Sequence, residues 1–385
     1  MRVAFITTSY PRTATDPHGH FIARVAEGLI ERGVTVTAHA PHERGAEERE
    51  VLNGVQVVRY RYAPESFEKV AYGPGVVTNV RTQPRAMLAL PAFVAGIRRA
   101  TRIAAREADV LHAHWAQTAL VSGAGSRGVP LALTIHGSDL QLARSKRLEW
   151  TLKRPLRQAA AVMAVSAELA EQLRPFMPGG RLPLVVHGGV ESSLLDGPIP
   201  DTDATERPLE LLFVGRLVPE KGIFDLVDAL ARVREGFRLT VAGVGSYRDE
   251  MERRVRAAGL EDAVSFAGAV PHGPLMTQMR EADLVVMPSH REGCGLVPIE
   301  AAAVGTPVIV TRTGAMPEVV ECSEAVVEPH DVDGLAHAIK RMIDDPALRE
   351  QCARSGRARV REEFIWDRIV DQTLEVYEQI VERAG

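Results

Sequence analysis

The chain has 385 residues, 45% of them hydrophobic and 25% charged, with a net charge of −4. That composition belongs to a globular protein with room for two cores, and it excludes a disordered or fibrous chain. A net acidic chain with no recognisable nucleic-acid module also argues against nucleic acid as a partner. The charge is unevenly spread: residues 1–196 carry 24 lysines and arginines against 17 acids, and the rest carries 22 against 33. The first half therefore suits an anionic partner or surface.

The N-terminus enters a strand-like run at once, without the layout of a secretory leader. The most lipid-like stretch, residues 87–97, contains Pro91 and falls short of the roughly 20 residues a spanning helix needs. The three cysteines, Cys294, Cys322 and Cys352, are odd in number and form no CxxC pair. They predict no disulfide framework and fit a cytoplasmic protein.

In chain order, residues 3–6 read as a strand and residues 21–32 as a helix stopped by Gly33. Residues 34–38, 109–112, 131–135 and 162–165 read as further strands. A polar segment rich in proline and glycine follows, and the alternation then resumes with strands at 209–214, 238–242, 264–266, 284–287 and 307–310. Strands alternating with helices predict parallel sheets covered on both faces. The expected organisation is a Rossmann-like domain at 1–196, a linker at 197–207, a second such domain at 208–364 and a final helical segment at 365–385. In doubly wound sheets, ligands meet the carboxyl ends of the strands, so the residues just after each strand carry the candidate chemistry.

After the strand at 284–287 the chain reads Pro288-Ser289-His290-Arg291-Glu292-Gly293-Cys294-Gly295-Leu296-Val297-Pro298-Ile299-Glu300. Glu292 lies in a loop and Glu300 in the helix that follows. Eight helical steps span up to ~12 Å, too far for the pair of carboxylates at about 5–5.5 Å that a retaining hydrolase uses. The two glutamates suit opposite ends of one extended ligand. The glycines between them let backbone amides meet an anion at the helix N-terminus. After the strand at 209–214, Gly215-Arg216-Leu217-Val218-Pro219-Glu220-Lys221-Gly222 places two cations in a strand-to-helix loop. Arg216 and Lys221 there suit a phosphate whose charge grows as it leaves.

These two segments, 213–222 and 292–301, resemble the signatures of glycosyltransferase family 4. Residues 305–309 and 314–318, and Thr134-Ile135-His136-Gly137-Ser138-Asp139, resemble the same family. The resemblance implies a GT-B fold: α/β, with two Rossmann-like, doubly wound parallel-sheet domains facing across a cleft. It implies a retaining transfer of a sugar from a nucleotide-diphosphate donor, of the UDP or GDP kind, to a hydroxyl acceptor, with no cofactor and no obligatory metal. In polysaccharide, glycolipid or small-molecule synthesis that acceptor would be anionic or lipid-linked, held by the first domain.

By the same resemblance, Arg216 and Lys221 grip the diphosphate and Glu300 binds the ribose. Glu292 lies near the transferred sugar. Cys294, Gly295, Leu296 and Val297 hold phosphate and sugar hydroxyls, and Val270 meets the base. His136 stands beside the reacting sugar, Gly19 touches the diphosphate, and Asp139 either orients His136 or meets the acceptor. His112 and His114, at the end of another strand, are acceptor-side candidates, with core or surface histidines as the alternative. The final helix crosses back onto the first domain. Transfer fits the paired motifs better than a GT-B epimerase or a non-catalytic sugar-nucleotide-binding module, since His136, Lys221 and Glu292 are all present.

The chain departs from the family pattern in three places. His18-Gly19-His20 replaces a Gly-Gly pair, Gly188-Gly189-Val190-Glu191 replaces Asn-Gly-Val-Asp, and Cys294 replaces an aromatic residue. Asp201-Thr202-Asp203 resembles a metal-binding DxD motif, but it falls in the linker and reads as chance. Two basic stretches, 81–106 with six arginines and 142–157 with six basic residues against one acid, have the composition of segments that lie on an anionic membrane surface, with a solvated helix face as the alternative.

Overall fold

The computed structural model describes residues 1–384 except 14, 15, 17, 74, 141–147 and 201–206. The DxD-like triplet, most of the expected linker and the front of the second basic stretch lie outside the described residues. The chain divides into two compact units. One comprises Met1–Val165, Leu169–Val186 and Trp366–Gly385; the other comprises Ser166–Glu168 and His187–Ile365.

The first unit is built on strands β1 (Arg2–Ile6), β2 (Thr35–Pro41), β3 (Arg49–Leu52), β4 (Val55–Tyr60), β5 (Val110–His114), β6 (Leu131–Ile135), β7 (Ala161–Ala164) and β8 (Leu184–Val185). They lie in the order β3-β4-β2-β1-β5-β6-β7-β8. All pairs are parallel except β3 with β4. The sheet grows outward from β1 in one direction and from β5 in the other, which is the doubly wound order. β5 and β6 are buried along their whole length, as parallel strands covered by helices on both faces must be. Neither β3 nor β4 is foreseen from the sequence. Asn53 and Gly54 both take left-handed φ, 48° and 85°, the geometry of the primed turn that matches the twist of a hairpin.

The helix His20–Glu31 packs Ile22, Ala26 and Leu29 into one core with Ile369, Val370 and Tyr377 of the last helix, Trp366–Glu382. The helices approach as closely as a glycine permits: a methyl on Gly28 would lie 2.5 Å from Val370 Cγ2. The helix Pro84–Ala104 runs through Pro91. It buries Ala89, Phe93 and Ile97 and leaves Met87 and Leu88 exposed at 58% and 68%.

The second unit is built on β9 (Leu209–Val214), β10 (Phe237–Ala242), β11 (Val264–Gly268), β12 (Leu284–Met287), β13 (Val308–Thr311) and β14 (Val326–Val327). Their order is β11-β10-β9-β12-β13-β14, all parallel. The winding reverses between β9 and β12, and a doubly wound sheet holds its ligand outside the carboxyl ends of that pair.

Cys322 and Cys352 are brought side by side in the second core, with Cα atoms 5.3 Å apart. The pair is 30 residues apart in sequence and both members are buried, so neither the odd count nor the spacing marks it. Among the described residues no helix is long and apolar enough to cross a membrane.

Candidate functional site

The loops after β9 and β12 meet at the reversal point of the second sheet. The backbone amide of His290 donates to the carbonyl of Glu220 at 2.9 Å. Gly222 has φ 67°, and a methyl on it would lie 1.8 Å from the carbonyl oxygen of Pro288. No side chain fits there, so the glycine that ends the first motif is required by the backbone of the second. This contact sets Lys221, the last residue of a short 3-10 turn, beside Glu292. Its Nζ donates to Glu292 Oε2, with both side chains 18% exposed.

The loop 288–295 is anchored from the strand side. Thr311 and Thr313 donate their hydroxyls to the carbonyl of Ser289, and the amide of Ala315 donates to the carbonyl of Gly293. Gly295 then starts the helix Leu296–Val304 in a left-handed conformation. The first amides of that helix, including Leu296 and Val297, have no partner earlier in the helix and form the positive end of its dipole. A lysine and a helix N-terminus thus lie at the same reversal point, a chemistry that suits an anionic group. Arg216 stands exposed on the same β9 loop. Glu300 lies on the buried side of the helix, 15% exposed, and its Oε1 is 3.0 Å from His272 Nε2; that hydrogen bond raises the histidine pKa. Val270 is half-buried just past β11.

Two departures from the family pattern prove to be neighbours. The amide of Gly188 donates to Cys294 Sγ at 3.1 Å, and burial pushes that thiol up to about 12. Cys294 is therefore a neutral packing group rather than a nucleophile.

In the first unit, the winding reverses between β1 and β5. Gly19, with φ 73°, ends the β1 loop at the start of the helix His20–Glu31. Within that loop, Arg12 pairs with Asp16 and Glu43, and Asp16 accepts from the amide of His18. At the carboxyl ends of β5 and β6 lies a histidine cluster. His112 bonds Tyr377 Oη through Nδ1 at 2.6 Å and Thr134 Oγ1 through Nε2 at 2.7 Å. His114 Nδ1 is 3.1 Å from His136 Nε2, and the two rings stack. Phe21 and Trp115 each pack 4.9 Å from the His136 ring.

Burial lowers both His112 and His136 to about 3, so His136 is neutral at pH 7 and meets a hydroxyl as a hydrogen-bonding group rather than a cation. Asp139 holds this corner. Its carboxylate accepts from the amides of Ala116 and His136, at 2.5 and 3.0 Å, and burial pushes its pKa up to about 6. The Nε2 of His114 is buried without a hydrogen-bond partner among the described residues.

The structure therefore brings Lys221, Glu292, Cys294 and Gly295 together in one unit, and His114, His136 and Asp139 together in the other. Sequence reasoning marks Gly188 only as a departure from the family pattern and passes over Tyr377. Both act through contacts with residues more than a hundred positions away, which no local spacing reveals.

Two doubly wound parallel-sheet units define the α/β class of two-Rossmann proteins of the GT-B kind. Residues 199–359 match the family model "Glycosyl transferases group 1", and residues 19–193 match "Glycosyltransferase Family 4". The chain is 32% identical over 403 residues to a D-inositol 3-phosphate glycosyltransferase of Acidothermus cellulolyticus, covering 93% of this chain and 84% of that one. It is 29% identical over 400 residues to a glycogen synthase of Mycobacterium tuberculosis, covering 98% and 94%. The solved sucrose-phosphate synthase of Thermosynechococcus elongatus superposes with a TM-score of 0.79 at 25% identity, over the full length of both chains. The chain belongs to the family 4 glycosyltransferases and is a sugar-transferring enzyme.

Proposed function

We propose that the chain transfers a sugar from a nucleotide-diphosphate donor to an acceptor hydroxyl with retention of anomeric configuration. The observation that carries this reading is the Lys221–Glu292 pair at the reversal point of the second sheet. In this reading the second unit holds the donor and the first receives the acceptor. The diphosphate lies on the amides of residues 294–297, and its two negative charges draw Lys221 away from Glu292. Arg216, already exposed, closes on the same phosphates. Glu292, released from its partner, accepts hydroxyls of the transferred sugar. Glu300 takes the ribose, Val270 meets the base through its backbone, and Gly19 lets the donor phosphate approach the first helix.

Transfer then needs no covalent intermediate. The bond between the anomeric carbon and the phosphate oxygen breaks. The acceptor oxygen attacks from the same face, and its proton passes to the departing phosphate oxygen, whose charge Lys221 and Arg216 stabilise. His136, neutral and fixed by Asp139, steadies a hydroxyl of the reacting sugar. The basic first half favours an anionic or lipid-borne acceptor at the inner face of a membrane. The exposed Met87 and Leu88 on an arginine-bearing helix support a peripheral contact there. The inositol 3-phosphate named for one relative is an anionic small acceptor of the same charge class.

The test is to incubate the purified chain with UDP- and GDP-sugars and candidate acceptors, follow release of nucleoside diphosphate, and determine the anomeric configuration of the product by NMR. Retention supports the reading; inversion, or no turnover of any donor, refutes it.

A further inference from the structure

Three side chains from three elements of the second unit converge beside the donor loops. Asp225 lies in the first turn of the helix Ile223–Val233, His290 in the loop after β12, and His330 just before the helix Val332–Asp344. Asp225 Oδ2 is 2.7 Å from His290 Nε2 and 4.0 Å from His330 Nδ1. One ligand atom from each residue lies within 4.8 Å of the others. The two imidazole rings lie against each other, tilted by 38°, with centroids 3.7 Å apart. His330 reaches this position with φ 67°, a conformation uncommon for a residue with a side chain.

The Asp225–His290 hydrogen bond needs one imidazole, and His330 brings a second ring nitrogen to the same carboxylate oxygen. Two imidazoles and one carboxylate, each offering one lone pair, are a ligand set for a borderline transition-metal dication. Magnesium and calcium prefer all-oxygen surroundings. With zinc–ligand bonds near 2.0–2.2 Å, tetrahedral ligand atoms stand about 3.4 Å apart. The present separations of 2.7 and 4.0 Å bracket that value.

We propose that Asp225, His290 and His330 form a binding site for one zinc-class divalent cation, with a fourth position open to water. His290 lies two residues before Glu292, and Asp225 four residues after Lys221. A bound ion therefore fastens the two donor loops to each other without touching the donor. The residues come from separate elements, 65 positions apart between Asp225 and His290, so no sequence spacing marks the site.

The test uses the full chain, stripped with chelator and titrated with Zn²⁺ by calorimetry and with Co²⁺ by visible absorption. The expected result is one saturable equivalent, a Co²⁺ spectrum with the intensity of low coordination number, and a higher melting temperature with metal. His330 is 70% exposed, so His330→Ala keeps the wild-type melting temperature without metal. It binds Zn²⁺ at least about tenfold more weakly, as does His290→Ala. Absence of saturable binding overturns the proposal, as does binding that survives unchanged in both variants. These readouts need no sugar nucleotide, so their failure is separate from failure of the donor reading.

Discussion

The amide of Gly188 donates to Cys294 Sγ at 3.1 Å, and a methyl built on Gly188 would lie 2.5 Å from that sulfur. The two positions where this chain leaves the family pattern in its second unit are therefore one packing solution. A residue larger than glycine at 188 demands another residue at 294. Gly188→Ala is expected to destabilise the protein by about 1–3 kcal/mol through overpacking. Adding Cys294→Ala removes the sulfur, leaving Leu296 Cδ2 as the nearest atom at 3.2 Å, and restores most of that loss. A double-mutant cycle of urea midpoints measures the coupling; additive effects would dissolve the link.

The Asp139 carboxylate fixes two backbone amides at the corner that carries His136. Asp139→Ala leaves both amides buried and unpaired, at a cost of about 1–3 kcal/mol each. Asp139→Asn keeps one acceptor and loses less. If denaturant midpoints ranked these two variants in the reverse order, the positioning role would be wrong.

Buried imidazoles set the acid limit of the first unit. His112 and His136 are held near 3 and His39 near 4, in each case chiefly by burial. The unfolded chain binds protons on these groups below pH 6.5 and the folded chain does not, so stability rises with pH through that window. Asp139 works the other way: its folded pKa is raised to about 6, and its contribution is lost as pH rises from about 4 towards 6. Three histidines outweigh one aspartate. The melting temperature is therefore predicted to fall steadily between pH 6.5 and 4, and to fall less steeply in His39→Gln. A flat profile over that range would contradict the burial account.

Tyr377 joins the last helix to β5 by a 2.6 Å hydrogen bond to His112. Tyr377→Phe keeps the ring and loses the bond, and is expected to cost about 1 kcal/mol or somewhat more, because His112 Nδ1 is left buried and unpaired. Thermal or urea unfolding reads this directly; an unchanged midpoint would mean that water replaces the hydroxyl.

Much of this architecture is visible in the sequence, for a physical reason. Parallel strands buried on both faces appear as short apolar runs, and residues 131–135, 209–214 and 284–287 were bounded as the structure has them. The hairpin β3–β4 alternates polar and apolar residues on an edge, and its Asn53-Gly54 turn is the local signal that marks it. Lys221 and Glu292 were legible because each follows a strand. Their ion pair was not, since it depends on which two strands flank the reversal point. Gly188 with Cys294, Cys322 with Cys352, and Asp225 with His290 and His330 are tertiary meetings that no periodicity encodes.

The central claim, that Lys221 and Glu292 mark a nucleotide-diphosphate site, is tested most directly by a thermal-shift panel of nucleoside diphosphates and their sugars on the wild type and Lys221→Ala. A ligand at a hundred times its dissociation constant stabilises the folded state by about 2.7 kcal/mol. One nucleoside diphosphate is predicted to raise the wild-type melting temperature, with the response lost in the variant. A panel in which nothing shifts the wild type at millimolar ligand, or in which the variant responds equally, would contradict the assignment.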